Sequence, residues 1–322
     1  MSIIRFSSPL RAFATRAKTV AVAGAGGPAN LFRHSEPWVV SKRNVSKRLA
    51  SVLGFIFCFG LASSSVMAQE PPKQETAVAG GAVAADPVRL YEPREFVGSS
   101  GEALKYRLIK PVDYQPGKKY PLVLFLHGAG ERGSDNTVTL VHAAKDLANP
   151  ARRAKYPAYV VIPQCPKDRK WSEVDWSKDS SELPEKPSDS MQSLKELLDE
   201  MVENAGVDRN RIYITGLSMG GYGTWDAIAR YPDFFAAAAP VCGGGDPKTV
   251  ERFKRLPIWC FHGAKDPVVK VIRSREMVEA LQAVGSKIKY TEYPEAQHDS
   301  WTATYANPEF YDWLFAQRRE SQ

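Results

Sequence analysis

Residues 211–226, Arg-Ile-Tyr-Ile-Thr-Gly-Leu-Ser-Met-Gly-Gly-Tyr-Gly-Thr-Trp-Asp, constrain this chain more than any other stretch. Ile212, Tyr213 and Ile214 are the β-branched and aromatic residues of a buried strand. Gly216-Leu217-Ser218-Met219-Gly220 then spells G-x-S-x-G, and Tyr222 to Arg230 reads as a helix that stops at Tyr231-Pro232. A strand that turns into a helix through this motif puts the serine on a tight, strained turn with its hydroxyl exposed. Such a turn leaves no room for side chains beside the serine, and glycines at 216, 220 and 221 meet that demand. The same glycines also suit an ordinary strand-to-helix turn with an incidental serine. The motif therefore needs partners before it implies chemistry.

A neutral serine hydroxyl is a poor nucleophile; it needs a base, and the base needs an orienting carboxylate. On this kind of turn the chain order is serine, then acid, then histidine. Past the leader described below the histidines are 127, 142, 262 and 298, and His298 alone follows the last strand, in Glu295-Ala296-Gln297-His298-Asp299-Ser300-Trp301. The acid is expected at the end of the preceding strand, where His262-Gly263-Ala264-Lys265-Asp266-Pro267 supplies Asp266. Asp299 competes, but adjacent side chains in a loop seldom reach each other's ring nitrogen. An oxyanion hole needs one N–H after the serine, from Met219, and another from the loop Leu126-His127-Gly128-Ala129-Gly130-Glu131-Arg132-Gly133. We assign the second to Ala129, with Gly130 in reserve, and read His127 as a buried brace for that loop. Gly130, Arg132, Trp171 and Trp301, with Trp176, are candidates to line the substrate site. No His/Cys cluster has metal-ligand spacing, and no cofactor is expected.

The formal charge of +7 could suggest a nucleic-acid partner, but its distribution argues otherwise. Residues 1–68 hold nine Lys/Arg and one acid, while the remainder holds 34 Lys/Arg and 35 Asp/Glu. Lys42, Arg43, Lys47 and Arg48 precede an apolar run from Leu49 to Leu61, and Val66-Met67-Ala68 fits a small-x-small cleavage site before Gln69. This is the layout of a secretory signal peptide, and the run is short of the roughly 20 residues of a membrane span. Residues 1–40 are an unusually long prefix, so the biological start is expected downstream of them. The implied destination is outside the cell or the periplasm, with no stable membrane association after cleavage. Cys58 leaves with the leader. Cys165, Cys242 and Cys260 remain, too few and too odd for a disulfide scaffold.

Gln69 to Pro87, rich in Ala, Gly, Pro and Gln, reads as a flexible linker, and residues 88–322 as one catalytic domain. Val88–Val97 and Leu104–Lys110 form an opening hairpin, and 121–126 is a strand buried on both faces. A helix over 137–147, a strand over 159–162, and a functional loop over 163–187 follow. Next come a helix carrying Met191, Leu194, Leu197, Leu198 and Met201 on one stripe, then the serine turn, then strand 235–241. A short helix near 247–255, strand 257–261, helix 268–284, strand 287–293 and a closing helix over 308–319 complete the pattern. Strands alternate with helices, which predicts an α/β fold with a mostly parallel twisted sheet of about eight strands flanked by helices.

Together, H-G-A-G-E-R-G at 127–133, G-L-S-M-G-G-Y-G-T-W at 216–225, Asp266 and His298 resemble the α/β-hydrolase superfamily, in its carboxylesterase and dienelactone-hydrolase-like group. The chain is also similar to the catalytic domains of prolyl oligopeptidase-type enzymes and to secreted polyhydroxybutyrate-depolymerase or feruloyl-esterase-like proteins. The resemblance covers roughly residues 100–317 and puts the family's triad on Ser218, Asp266 and His298. It implies a serine esterase acting through an acyl-enzyme on a small-molecule or polymer-derived ester. A peptidase on short peptides is the alternative, disfavoured because the chain has no room for the propeller of prolyl oligopeptidases. A non-catalytic binding protein on the same fold is the third reading. The superfamily's strand order separates Cys165 from Cys242 by three strand spacings, and Cys260 is offset along its strand, so three free thiols are expected.

Overall fold

In the computed structural model, which describes residues 86–176 and 178–319, the predicted sheet has eight strands in the order β1-β2-β4-β3-β5-β6-β7-β8. These are β1 (Glu92–Val97), β2 (Ala103–Ile109), β3 (Tyr120–Leu126), β4 (Tyr159–Pro163), β5 (Val207–Leu217), β6 (Ala237–Val241), β7 (Trp259–Gly263) and β8 (Lys289–Tyr293). β1 and β2 form an antiparallel hairpin and β2 joins β4 antiparallel; all pairings from β4 to β8 are parallel. The fold is that of the α/β-hydrolases, as expected. The leader, its cleavage site and the linker up to residue 85 lie outside the described residues.

Every residue of β3 is buried, which is why its sequence is a continuous apolar run rather than an alternation. Alternation persists in its packing. Leu122, Leu124 and Leu126 join the core on one face, with Leu194 and Met201 of α3 (Asp189–Asn204), Trp225 and Ile228 of α4 (Met219–Arg230), and Met277 and Leu281 of α5 (Ile272–Ala283). Val123 and Phe125 face the other core, with Ala144 and Leu147 of α1 (Ala143–Leu147), Tyr305 of α6 (Trp301–Ala306), and Phe310 and Leu314 of α7 (Pro308–Ala316). The stripe predicted from Met191 to Met201 is core packing. Its helix opens where Ser188 Oγ accepts the Met191 N–H at 3.0 Å, a cap that contributes about 1 kcal/mol.

Four helices differ from the sequence reading. The helix expected over 137–147 is reduced to α1, because Asp135 captures the N–H groups of Thr137 and Val138 and holds that stretch in turns. α5 starts at Ile272 instead of 268, because Asp266 Oδ1 accepts the N–H groups of Val268 and Val269. Residues 301–306 and 150–155 are helical where loop was expected, the latter as α2 (Pro150–Lys155), started by Asn149. Cys165, Cys242 and Cys260 are all free and buried, as expected.

β3 sits between β4 and β5, so the chain leaves it to one side and later returns on the other. That reversal opens a crevice at the carboxyl ends of β3 and β5, where open α/β sheets bind ligands. Leu126 pairs with Gly216 at that edge of the sheet, bringing the His127–Gly133 loop against the serine turn.

Candidate active site

Ser218 adopts φ 53° and ψ −116°, a conformation a side chain tolerates only where its surroundings over-determine it. Three close backbone approaches do so. A Cβ on Gly216 would lie 2.4 Å from the Gly220 carbonyl oxygen, one on Gly220 2.0 Å from that of Leu126, and one on Gly221 2.4 Å from that of Val241. The serine N–H donates to Val241 O at 3.0 Å, and α4 begins at the next residue. The turn therefore holds Oγ at the mouth of the crevice.

The parallel register delivers the other two groups to the same edge. β7 ends at Gly263, and the following turn, tied by Lys265 N–H to Ala296 O, places Asp266 beside the loop after β8. His298 Nε2 lies 3.0 Å from Ser218 Oγ, and His298 Nδ1 lies 2.7 Å from Asp266 Oδ2. Asp266 Oδ1 accepts the N–H groups of Val268 at 2.8 Å and Val269 at 2.9 Å. His262, fully buried, approaches Oδ2 with its Nε2 at 3.3 Å while also contacting Val269 O and Ser274 Oγ. Burial pushes the Asp266 carboxyl up, but His262, His298 and the two N–H donors outweigh it and hold the acid well below the usual carboxylate range. Asp266 is thus an anion facing His298. Asp299 is exposed, and the contact it makes is through its backbone carbonyl.

Met219, first in its helix, has an N–H with no intrahelical acceptor. Ala129 opens a tight turn after Gly128, and a Cβ on Gly128 would lie 3.8 Å from Ser218 Cβ, so this loop runs alongside the serine. His127 braces it as the sequence suggested: Nε2 accepts the Cys165 N–H at 3.0 Å and Nδ1 lies 2.6 Å from Gly128 O. Burial lowers the His127 pKa to about 4, so the ring is neutral and carries its proton on Nδ1.

The predicted lining residues divide. Gly130 faces open space and Trp301 is half-buried with its ring 5.1 Å from that of His298. Trp171 is a correction: it is fully buried, packs against Gly223, and donates its indole N–H to His127 O at 3.2 Å, so it supports the loop from beneath. Arg132 turns inward, with Nε donating to Ala129 O at 2.9 Å. Trp176 is exposed, 6.3 Å from the ring of Tyr222 in the first turn of α4. His262 was missed, although it stands four residues before Asp266 at a strand end. So were Glu131 and His142, which lie 3.8 Å apart beside Trp301, because residue type alone does not bring them together. Among the described residues, Cys242, Asp266 and His298 place potential metal-ligand atoms within 4.8 Å of one another. Two of these are already bonded to each other, and burial keeps the Cys242 thiol protonated.

A family model for phospholipases and carboxylesterases matches residues 110–307. A thermostable esterase of known structure is 43% identical, with a TM-score of 0.67 over 72% of this chain and 64% of its own. An uncharacterized secreted protein of Arthroderma benhamiae is 30% identical over 217 residues, 56% of this chain and 21% of that protein. Poly(3-hydroxyalkanoate) depolymerase C of Paucimonas lemoignei is 48% identical over 52 residues, 16% of this chain and 13% of the depolymerase. The chain thus spans about a fifth or less of the length of those two relatives.

Proposed function

The chain belongs to the phospholipase/carboxylesterase family, and from that premise we propose that it is a secreted serine hydrolase of carboxylic esters. The observation that carries this reading is the continuous hydrogen-bonded line from Ser218 Oγ through the His298 ring to Asp266, set beyond the ends of β5, β8 and β7. In the proposed reaction, Oγ attacks the ester carbonyl carbon as its proton passes to His298 Nε2. The C=O electron pair moves onto oxygen, and the N–H groups of Met219 and Ala129 bind the oxyanion. Collapse expels the alcohol, which takes the proton from Nε2 and leaves an acyl-Ser218. Water then gives a proton to His298, attacks the acyl carbon, and releases the acid as the proton returns to Oγ. Asp266 stabilises the imidazolium in both half-reactions.

The domain proposed to do this is 88–322, and the substrate is a small-molecule or polymer-derived ester. Export is supported by the leader sequence and by the secreted relative; secreted material is expected to begin near Gln69 on N-terminal sequencing. The activity is tested by comparing p-nitrophenyl acetate with a proline anilide. Turnover of the acetate that disappears in Ser218→Ala supports the esterase reading. Faster turnover of the anilide overturns it in favour of a peptidase.

A further inference from the structure

His142 has φ 50° and ψ −127°, nearly the conformation of Ser218. A non-glycine residue there is strained and persists only where the fold enforces it. Its neighbours tie it to the site from two sides. Nε2 lies 3.8 Å from Oε1 of Glu131, in the loop that carries Ala129, and its ring packs edge-on at 5.2 Å against Trp301, which packs edge-on against His298. Burial raises the Glu131 carboxyl pKa, but the neighbouring His142 helps outweigh it and the carboxyl is held below its ordinary value, so Glu131 is an anion facing Nε2 of His142. Among the described residues Nδ1 has no hydrogen-bond partner, and the side chain is 33% exposed.

In the proposed reaction His298 gives its proton to the departing alcohol, so the alcohol half of the ester lies on the His298 side. There Trp301 offers an aromatic face, and beyond it stands an imidazole with Nε2 turned to the Glu131 carboxylate and Nδ1 open. The carboxylate facing Nε2 favours the tautomer protonated there, which makes Nδ1 an acceptor on a neutral ring and a donor on a charged one. A hydroxyl group satisfies either state; an alkyl group satisfies neither.

We propose that His142 is a specificity-determining residue that hydrogen-bonds a hydroxyl on the alcohol half of the substrate, so that the site favours esters of polyhydroxy alcohols over simple alkyl esters. The proposal rests on the ester-hydrolase reading. Sites built to bond a hydroxyl discriminate strongly against analogues lacking it.

The experiment compares glyceryl monoacetate with ethyl acetate, which share the acyl group and differ in hydroxyls. Wild-type protein is expected to prefer glyceryl monoacetate by at least about tenfold in kcat/KM. His142→Gly suits the backbone conformation and removes the imidazole. It is expected to bring the ratio to within about threefold by losing glyceryl monoacetate turnover alone, while His142→Gln, which can donate and accept, restores part of the preference. A wild-type ratio near one overturns the proposal, as does a ratio unchanged in His142→Gly. Equal loss on both esters also overturns it, making His142 a prop between two loops. Absence of Ser218-dependent turnover of any ester, p-nitrophenyl acetate included, is instead a failure of the underlying reading.

Discussion

Asp266→Asn gives the sharpest prediction because the structure dictates how the new amide must sit. Oδ1 of Asp266 accepts two backbone N–H groups, and an asparagine oxygen stays there, since turning the amide would set its NH2 against both donors. The NH2 is then forced into the Oδ2 position, 2.7 Å from His298 Nδ1 and 3.3 Å from His262 Nε2. It donates to Nδ1, so the His298 proton moves to Nε2, where it blocks acceptance of the Ser218 proton. Loss of the correct tautomer is expected to cost about 10⁴ in kcat, or roughly 5 kcal/mol of transition-state stabilisation. The assay is p-nitrophenyl acetate hydrolysis at neutral pH, with circular dichroism to establish that the variant is folded. Asp299→Asn, at an exposed side chain, is expected to stay within about threefold of wild type. A loss below about tenfold in folded Asp266→Asn, or a larger loss in Asp299→Asn, would refute the reasoning.

His127 predicts a pH-dependent stability. Its folded pKa of about 4 lies below the ordinary value of 6.5, so between those values the unfolded chain binds a proton that the native ring refuses. Stability is therefore expected to fall by up to roughly 3 kcal/mol as pH drops through that window, and His127→Gln to show a shallower slope in urea midpoints between pH 7 and 4.5; equal slopes would contradict it. Gly221→Ala sets a Cβ 2.4 Å from a backbone carbonyl oxygen, and is expected to lose roughly 3 kcal/mol or more, so a melting temperature within about 2 °C of wild type would contradict the close packing. The three buried thiols are expected to resist alkylation in the native protein and all to react once it is denatured; a pair that stays unreactive after denaturation would reveal a bridge.

What the sequence disclosed, it disclosed through local demands. Gly216, Gly220 and Gly221 are needed within a few residues of Ser218, and the apolar run of β3 follows from burial on both faces, so both were legible. Asp266 and His298 were legible because each follows a strand and their order is fixed by the topology. The rest depends on packing between distant segments. Trp171 looked like a binding aromatic because loop 163–187 has no periodicity, yet it fills the space over Gly223, a contact that spacing does not encode. His262 and His142 differ from incidental histidines only in their partners: a carboxylate at the end of the next turn, and a glutamate and tryptophan from two other loops. Nothing in the residue type of His142 announces its left-handed backbone.

The central claim is that Ser218 is the nucleophile of an acyl-enzyme, and covalent labelling tests it most directly. Protein treated with a fluorophosphonate and digested is expected to carry one adduct per chain, on the peptide containing Ser218, with none in Ser218→Ala and greatly slowed labelling in His298→Ala. Absence of an adduct in folded wild-type protein, or an adduct at another residue that survives Ser218→Ala, would contradict the account.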